Sequence, residues 1–183
     1  ISLYQMLAFP VPILLALVLH YTPILRLKKI TQSITYAPHF ISTVVLCGII
    51  TAFFSQSGII NQLGRILFGA QAVDYMSYPR YWRSLFVGSG IWQNTGYNAI
   101  IYIAALAGVS SELHEAAIMD GANRVQRIWH IDIPSIMPTI IILLIMQCGK
   151  VMNVGFQKAY LLQNDLNTSV SEVISTYVYR MGL

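Results

Sequence analysis

Apolar residues run in long blocks along this chain, at positions 2–19, 40–54, 85–106 and 139–156, and polar residues collect between them. The first block is close to the ~20 residues that an α-helix needs to cross a bilayer. The pattern predicts an all-α, polytopic transmembrane domain with about four full spans. Pro10 and Pro12 kink the first span, which a membrane tolerates because neighbouring helices satisfy the freed carbonyls. Tyr4 and Tyr21 mark its two interfaces. Arg26, Lys28 and Lys29 follow as a basic patch of the kind retained in the cytoplasm. Residues 31–39 read as a polar elbow, with Pro38 opening the second span. Residues 55–83 are a long connection. In it, 59–68 have the pattern of a short amphipathic helix lying along the surface, and Tyr75, Tyr78, Tyr81 and Trp82 form an aromatic belt before the third span. Beyond the fourth span lies a polar loop, 163–171, and Val173, Thr176, Tyr177 and Arg180 begin a further helix. The sequence opens without Met and stops inside that pattern, so 1–183 reads as one partial transmembrane domain, a fragment lacking spans at one or both ends.

Between the third and fourth blocks the pattern changes. Ser111 is placed to cap a short helix, and Glu112 and Glu115 put negative charge in its first turn, where the backbone dipole favours it. Leu113, Ala116 and Ala117 recur at i, i+3, i+4, giving a face of small apolar residues. Asp120-Gly121 is a stop signal, because glycine accepts the left-handed conformation that ends a helix. A second helix carries Val125, Ile128, Trp129 and Ile133 on one side and Arg124 and Arg127 on another, until Pro134 breaks it. The segment 110–134 is thus a compact helical knob on the end of membrane spans.

Composition narrows the class. The chain is 56% hydrophobic and 10% charged, against ~25% charged in an average soluble domain, and its mean hydropathy is +0.61. A net charge of +4, with no basic run beyond 26–29, excludes a nucleic-acid surface. Cys47 and Cys148 lie inside apolar runs without paired spacing and read as small packing residues, not as disulfide partners or zinc ligands. His114 and His130 flank the knob without metal-ligand spacing and read as surface or packing residues. No metal site is expected.

Glu115-Ala116-Ala117, Asp120-Gly121-Ala122, Ile131 and Pro134 together resemble the loop E-A-A-x-x-x-G followed by I-x-L-P of ABC importer permeases. Ile133 stands where that family often has Leu. The resemblance extends in character over the whole fragment, and is nearest to carbohydrate importers that handle complex oligosaccharides. It implies the type I importer permease fold and a multi-pass position in a bacterial inner or plasma membrane. The knob would then be a cytoplasmic coupling helix seated in a groove of a separate ATP-binding subunit. On that reading Ala116 and Ala117 allow close approach, Glu115 offers a carboxylate across the contact, and Asp120, Gly121 and Pro134 shape the knob. Other implied partners are a second permease subunit, an extracellular or periplasmic solute-binding protein and a sugar substrate. The chain has no Gly-x-x-x-x-Gly-Lys-Ser/Thr phosphate loop, so no cofactor is expected and ATP is held by the partner.

Two polar sets interrupt the spans. Trp92, Gln93, Asn94, Thr95, Tyr97 and Asn98 sit at mid-depth in the third. Carbohydrates present hydroxyls for Asn and Gln and flat C–H faces for Trp and Tyr, so Trp92, Gln93, Asn94, Tyr97 and Asn98 fit a sugar path. They equally fit hydrogen-bonded glue between helices. In the fourth span, Gln147, Lys150 and Asn153 recur at i, i+3, i+6, and an intramembrane lysine faces a cavity or a partner. An importer for amino acids, peptides or phosphate shares the same loop. An intramembrane enzyme is disfavoured, because no buried Ser/His, paired Asp or metal cluster is legible. A proton- or sodium-coupled carrier would need intramembrane carboxylates, which the spans lack.

Overall fold

Helices make up the regular structure of the described residues, which in this computed structural model are 6–69, 71–150 and 154–182. In chain order they are α1 (Pro10–His20), α2 (Leu25–Tyr36), a 3-10 turn (Ala37–Phe40), α3 (Thr43–Phe54), α4 (Ile59–Phe68), α5 (Pro79–Ala107), α6 (Ser111–Met119), α7 (Arg124–Arg127), a π-helical turn (Ile128–Asp132), α8 (Ile133–Gly149), α9 (Phe156–Leu162), α10 (Thr168–Ser171) and α11 (Ile174–Gly182). The all-α expectation holds. Among the described residues, two stretches are long and apolar enough to cross a membrane, Thr43–Phe68 and Arg124–Gly149, each of 26 residues. Large apolar side chains face outward along the helices: Leu14 and Val18 on α1, Val44 and Val45 on α3, and Ile142 and Ile145 on α8. Water would penalise such surfaces, whereas lipid tails are as apolar as the side chains themselves.

The chain divides into two units. One comprises residues 40–92 with 152–183. Its core is Leu46, Cys47, Ile50, Trp82, Phe86, Ala159 and Leu162. Ser42 caps α3 by accepting a hydrogen bond from the Val45 N–H. The segment after α4 is held by Asn61, whose amide donates to Ser55 and Val73 carbonyls and accepts from the Val73 N–H. These bonds satisfy backbone groups that a non-helical loop would otherwise bury unpaired. Asn167 does the same further on, donating to the carbonyls of Met76 and Leu162. The expected aromatic belt is only partly one. α5 already begins at Pro79, and Trp82 is buried, donating its indole N–H to the Leu162 carbonyl at 3.0 Å. A buried indole takes a hydrogen-bond partner wherever one is in reach.

The other unit comprises residues 6–39 with 93–151, packed on Ala16, Leu17, Ala99, Tyr102, Leu106 and Ile136. Here the expected polar elbow at 31–39 is largely helix: α2 runs to Tyr36, and the Thr35 hydroxyl bonds back to the Thr31 carbonyl, which leaves the ladder intact. Pro134 does not break the chain either. It occupies the first turn of α8, where its missing N–H is tolerated. The preceding π-turn shifts the ladder so that the Ile133 N–H reaches the Ile128 carbonyl, and the Ser135 hydroxyl donates to the Ile131 carbonyl. Of the fourth span, expected over 139–156, the residues up to Gly149 lie in α8, which begins earlier, at Ile133, and 151–153 lie outside the described residues. Of the first expected span, 2–5 lie outside the described residues.

Candidate functional site

The helical knob predicted at 110–134 is present, with one shift at its start. The cap of α6 is Ser110 rather than Ser111, its hydroxyl accepting from the Glu112 N–H at 3.2 Å. A side chain caps best when its own backbone is still extended, as Ser110 is at φ −61, ψ 129. α6 ends in a paired closure: the Gly121 N–H bonds the Ile118 carbonyl, and the Ala122 N–H bonds the Ala117 carbonyl at 2.8 Å. That pattern requires a left-handed residue, and Gly121 supplies it at φ +84. α7 then opens with a reciprocal capping box between Asn123 and Gln126.

Glu115, Ala116, Asp120, Gly121 and Pro134 are exposed, and Ala117 is half-buried. So are the large apolar side chains of the knob: Leu113, Ile118, Met119, Val125 and Trp129 all exceed half exposure, Met119 reaching 87%. These apolar groups share the loop with Glu112, Glu115, Asp120 and Arg124, and nothing else among the described residues covers them.

The underside of the knob is polar and closed. Asp132 is fully buried, and its Oδ2 accepts from the Tyr21 hydroxyl at 2.6 Å. His114 Nε2 lies 3.2 Å from Asp132 Oδ1. The Arg127 guanidinium stands over the Tyr21 ring at 5.7 Å. Burial, then the hydrogen bond to Asp132, pushes the Tyr21 phenol up to about 12, so it stays a donor throughout the physiological range. Of the two readings open for His114, surface or packing, the structure favours packing: its side chain is 17% exposed. Sequence reading placed Tyr21 only as an interface marker and gave His20 and Asp132 no role. The available signal was a lone carboxylate framed by Ile131 and Ile133, a residue type that is rarely buried without a partner.

The polar set in α5 is brought together only in part. Asn94 Oδ1 and His39 Nδ1 are 3.3 Å apart, and His39 stacks on Tyr97 with ring centroids 3.8 Å apart and planes within 4°. Asn94 and Tyr97 thus engage the 3-10 turn after α2. Trp92 and Asn98 are exposed and Gln93 is half-buried. Of the stripe 147-150-153, Gln147 is half-buried near the end of α8, which runs to Gly149, and Lys150 is exposed just beyond it, its N–H bonded to the Gln147 carbonyl. Asn153 lies outside the described residues. A different lysine is tied down. Lys158 Nζ donates to the Phe86 carbonyl at 2.7 Å and sits 4.7 Å from the Phe86 ring centroid. Nearby in the same unit, Pro79, Arg80, Arg83, Ser84, Val87, Gly88, Ile91 and Val170 line an open cavity of about 550 Å³.

Comparison with known proteins bears on all of this. A family model described as "Binding-protein-dependent transport system inner membrane component" matches residues 8–183. The chain is 43% identical over 183 residues to the protein LplB of Bacillus subtilis, covering all of this chain and 57% of that one. It is 40% identical over 176 residues to the polygalacturonan/rhamnogalacturonan transport system permease protein YteP of the same organism, covering 96% of this chain and 54% of the relative. The chain therefore spans little more than half the length of these curated relatives. It also superposes on a chain of the crystal structure of a bacterial ABC transporter involved in the import of the acidic polysaccharide alginate, with a TM-score of 0.94 and 36% identity, covering 100% of this chain and 65% of that one. With a family match over nearly its whole length, relatives at 40% identity or more and a superposition covering all of it, this chain belongs to the family of binding-protein-dependent transport system inner membrane components.

Proposed function

We propose that this chain is part of the permease subunit of an ATP-driven importer for oligosaccharides, and that its 110–134 knob couples a separate ATP-binding subunit to the translocation path. The observation that carries the reading is the set of outward apolar side chains on a charged, capped and rigid knob, Leu113, Ile118, Met119, Val125 and Trp129. A soluble face would not spend five large apolar groups on water, and a lipid-facing one would not carry Glu112, Glu115 and Arg124 beside them. A protein partner accommodates both. Glu115, Ala116, Ala117, Asp120, Gly121 and Pro134 form or shape that contact, and the chemistry of ATP hydrolysis is the partner's.

Met119→Cys, made in a chain lacking Cys47 and Cys148, tests the docking. A membrane-impermeant maleimide should label it from the cytoplasmic face of the isolated permease and fail to label it once the ATP-binding subunits are assembled. Full labelling in the assembled importer would refute the contact.

The remaining partners are a second permease subunit and an external solute-binding protein. A crystal structure of a bacterial alginate ABC transporter in complex with a pentasaccharide-bound periplasmic protein, 38% identical over 98% of this chain, supports that arrangement. Trp92, Gln93, Asn94, Tyr97 and Asn98 remain the proposed sugar contacts, with Gln147, Lys150 and Asn153 further along. Arg80 and Arg83, which line the cavity beside α5, favour carboxylated sugars, since guanidinium groups pair with carboxylates. Uptake into proteoliposomes should be faster for uronic-acid oligosaccharides than for neutral ones of equal length. Trp92→Ala and Asn94→Ala should lower uptake several-fold, and Arg83→Gln should erase the preference for acidic chains. Unchanged uptake in Trp92→Ala and Asn94→Ala would make the cluster packing alone. Stimulation of ATP hydrolysis by an amino acid, a peptide or phosphate, and by no sugar, would move the chain to another branch of the family.

A further inference from the structure

We propose that His20, His114 and Asp132 form a binding site for a divalent transition-metal ion of the zinc class, clamping α6 to the end of α1 and to the root of α8. Three separate elements each contribute one ligand atom, and the three atoms lie within 4.8 Å of one another. His114 Nε2 and Asp132 Oδ1 are 3.2 Å apart. A tetrahedral ion with metal–nitrogen and metal–oxygen bonds of about 2.0–2.2 Å places neighbouring ligand atoms about 3.3–3.5 Å apart, so this pair already has the spacing of one edge of such a site.

Both atoms are buried, and the partner each one has is the other, at ion-pair distance. A carboxylate oxygen and an imidazole nitrogen at that distance can share a cation as two of its ligands. The other carboxylate oxygen is committed: Tyr21 donates to Oδ2 at 2.6 Å, which fixes the plane of the carboxylate and leaves Oδ1 for the ion. Orientation of a ligating carboxylate by an outer hydrogen bond is the usual construction of a metal site. His20 completes the set. Its ring centroid lies 6.3 Å from that of His114, and its ligand atom is within 4.8 Å of the other two. Two imidazoles and one carboxylate suit zinc and its neighbours better than magnesium or calcium, which prefer oxygen alone. A fourth position is left for water.

The site would lie directly beneath the exposed knob. Its ion would tie the knob to two spans by bonds far stiffer than side-chain packing, without touching sugar or nucleotide. Because its readout is metal content, the test does not depend on transport and separates this proposal from the one above.

The whole importer, purified in chelator-free detergent buffer and dialysed against micromolar zinc, should hold one zinc per copy of this chain more than the same complex carrying His114→Ala or His20→Ala. Substitution with cobalt(II) should give the visible d–d bands of a tetrahedral site in the wild type and lose them in both variants. Equal zinc in wild type and variants, or no cobalt bands in the wild type, overturns the proposal and leaves the cluster a metal-free contact between His114 and Asp132. If His114→Ala fails to assemble, the wild-type cobalt spectrum alone decides between the two outcomes.

Discussion

An importer carrying Gly121→Trp should hydrolyse ATP while its sugar uptake falls by roughly tenfold or more, equivalent to about 1.4 kcal/mol of lost coupling. Gly121 has φ +84 and closes α6 through the bonds from Gly121 to Ile118 and from Ala122 to Ala117. Any residue with a β-carbon costs about 1–2 kcal/mol in that conformation. There is no steric clash to add, because a β-carbon at Gly121 meets nothing within 4 Å. The same open space is where an indole would stand, among Met119, Val125 and the other exposed apolar groups, on the face proposed to meet the ATP-binding subunit. Gly121→Ala separates the two effects. It carries the backbone strain without the bulk, so it should lower uptake less than Gly121→Trp does. Parallel measurement of ATP hydrolysis and uptake in proteoliposomes checks both. Normal uptake by Gly121→Trp would end the coupling proposal.

Gly96→Ala should destabilise the chain by about 3 kcal/mol or more, the upper end of what overpacking costs. In a domain of this size that lowers the thermal midpoint by about 6–12 °C. A β-carbon at Gly96 would overlap the carbonyl group and β-carbon of Thr35, so α2 and α5 approach with backbone against backbone. No rotamer relieves this, because the obstructing atoms include the main chain of α2. The loss should also reach the stacked pair His39 and Tyr97, which lies on the same contact. A thermal scan in detergent, followed by tryptophan fluorescence, measures it. An unchanged midpoint would mean that the two helices do not meet at Gly96.

These two glycines divide what is legible in a chain from what is not. Gly121 announces itself: Asp-Gly after a small-residue helical face is a stop by local chemistry alone, and the structure puts the left-handed turn there. Gly96 carries no such signal. It sits in the middle of a polar cluster that invites a reading as sugar contacts, and its role becomes visible only when residue 35 is brought beside it. The same holds for Asn94 and Tyr97, which engage His39 from 55 positions and more away in sequence.

Errors at element ends have local causes that pattern reading weighs wrongly. Pro134 was expected to break its helix, yet a first-turn proline needs no N–H, and the π-turn before it with the Ser135 hydroxyl absorbs the rest. The cap fell one residue early, on Ser110, because two adjacent serines offer the same chemistry and backbone geometry chooses between them. Trp82 reads as an interfacial aromatic from its neighbours, but the Leu162 carbonyl gives its indole a buried partner 80 residues away.

By itself the sequence determined the helical class, the membrane setting, the capped knob and its turn, because apolar period, charge scarcity, capping residues and an obligatory glycine are properties of neighbours along the chain. Only the tertiary structure decided which polar groups are spent inside the protein and which remain to meet something else. His20, Tyr21, His114 and Asp132 are scattered over more than a hundred positions, and a carboxylate's environment is set by what the fold packs around it, a quantity that no local pattern contains.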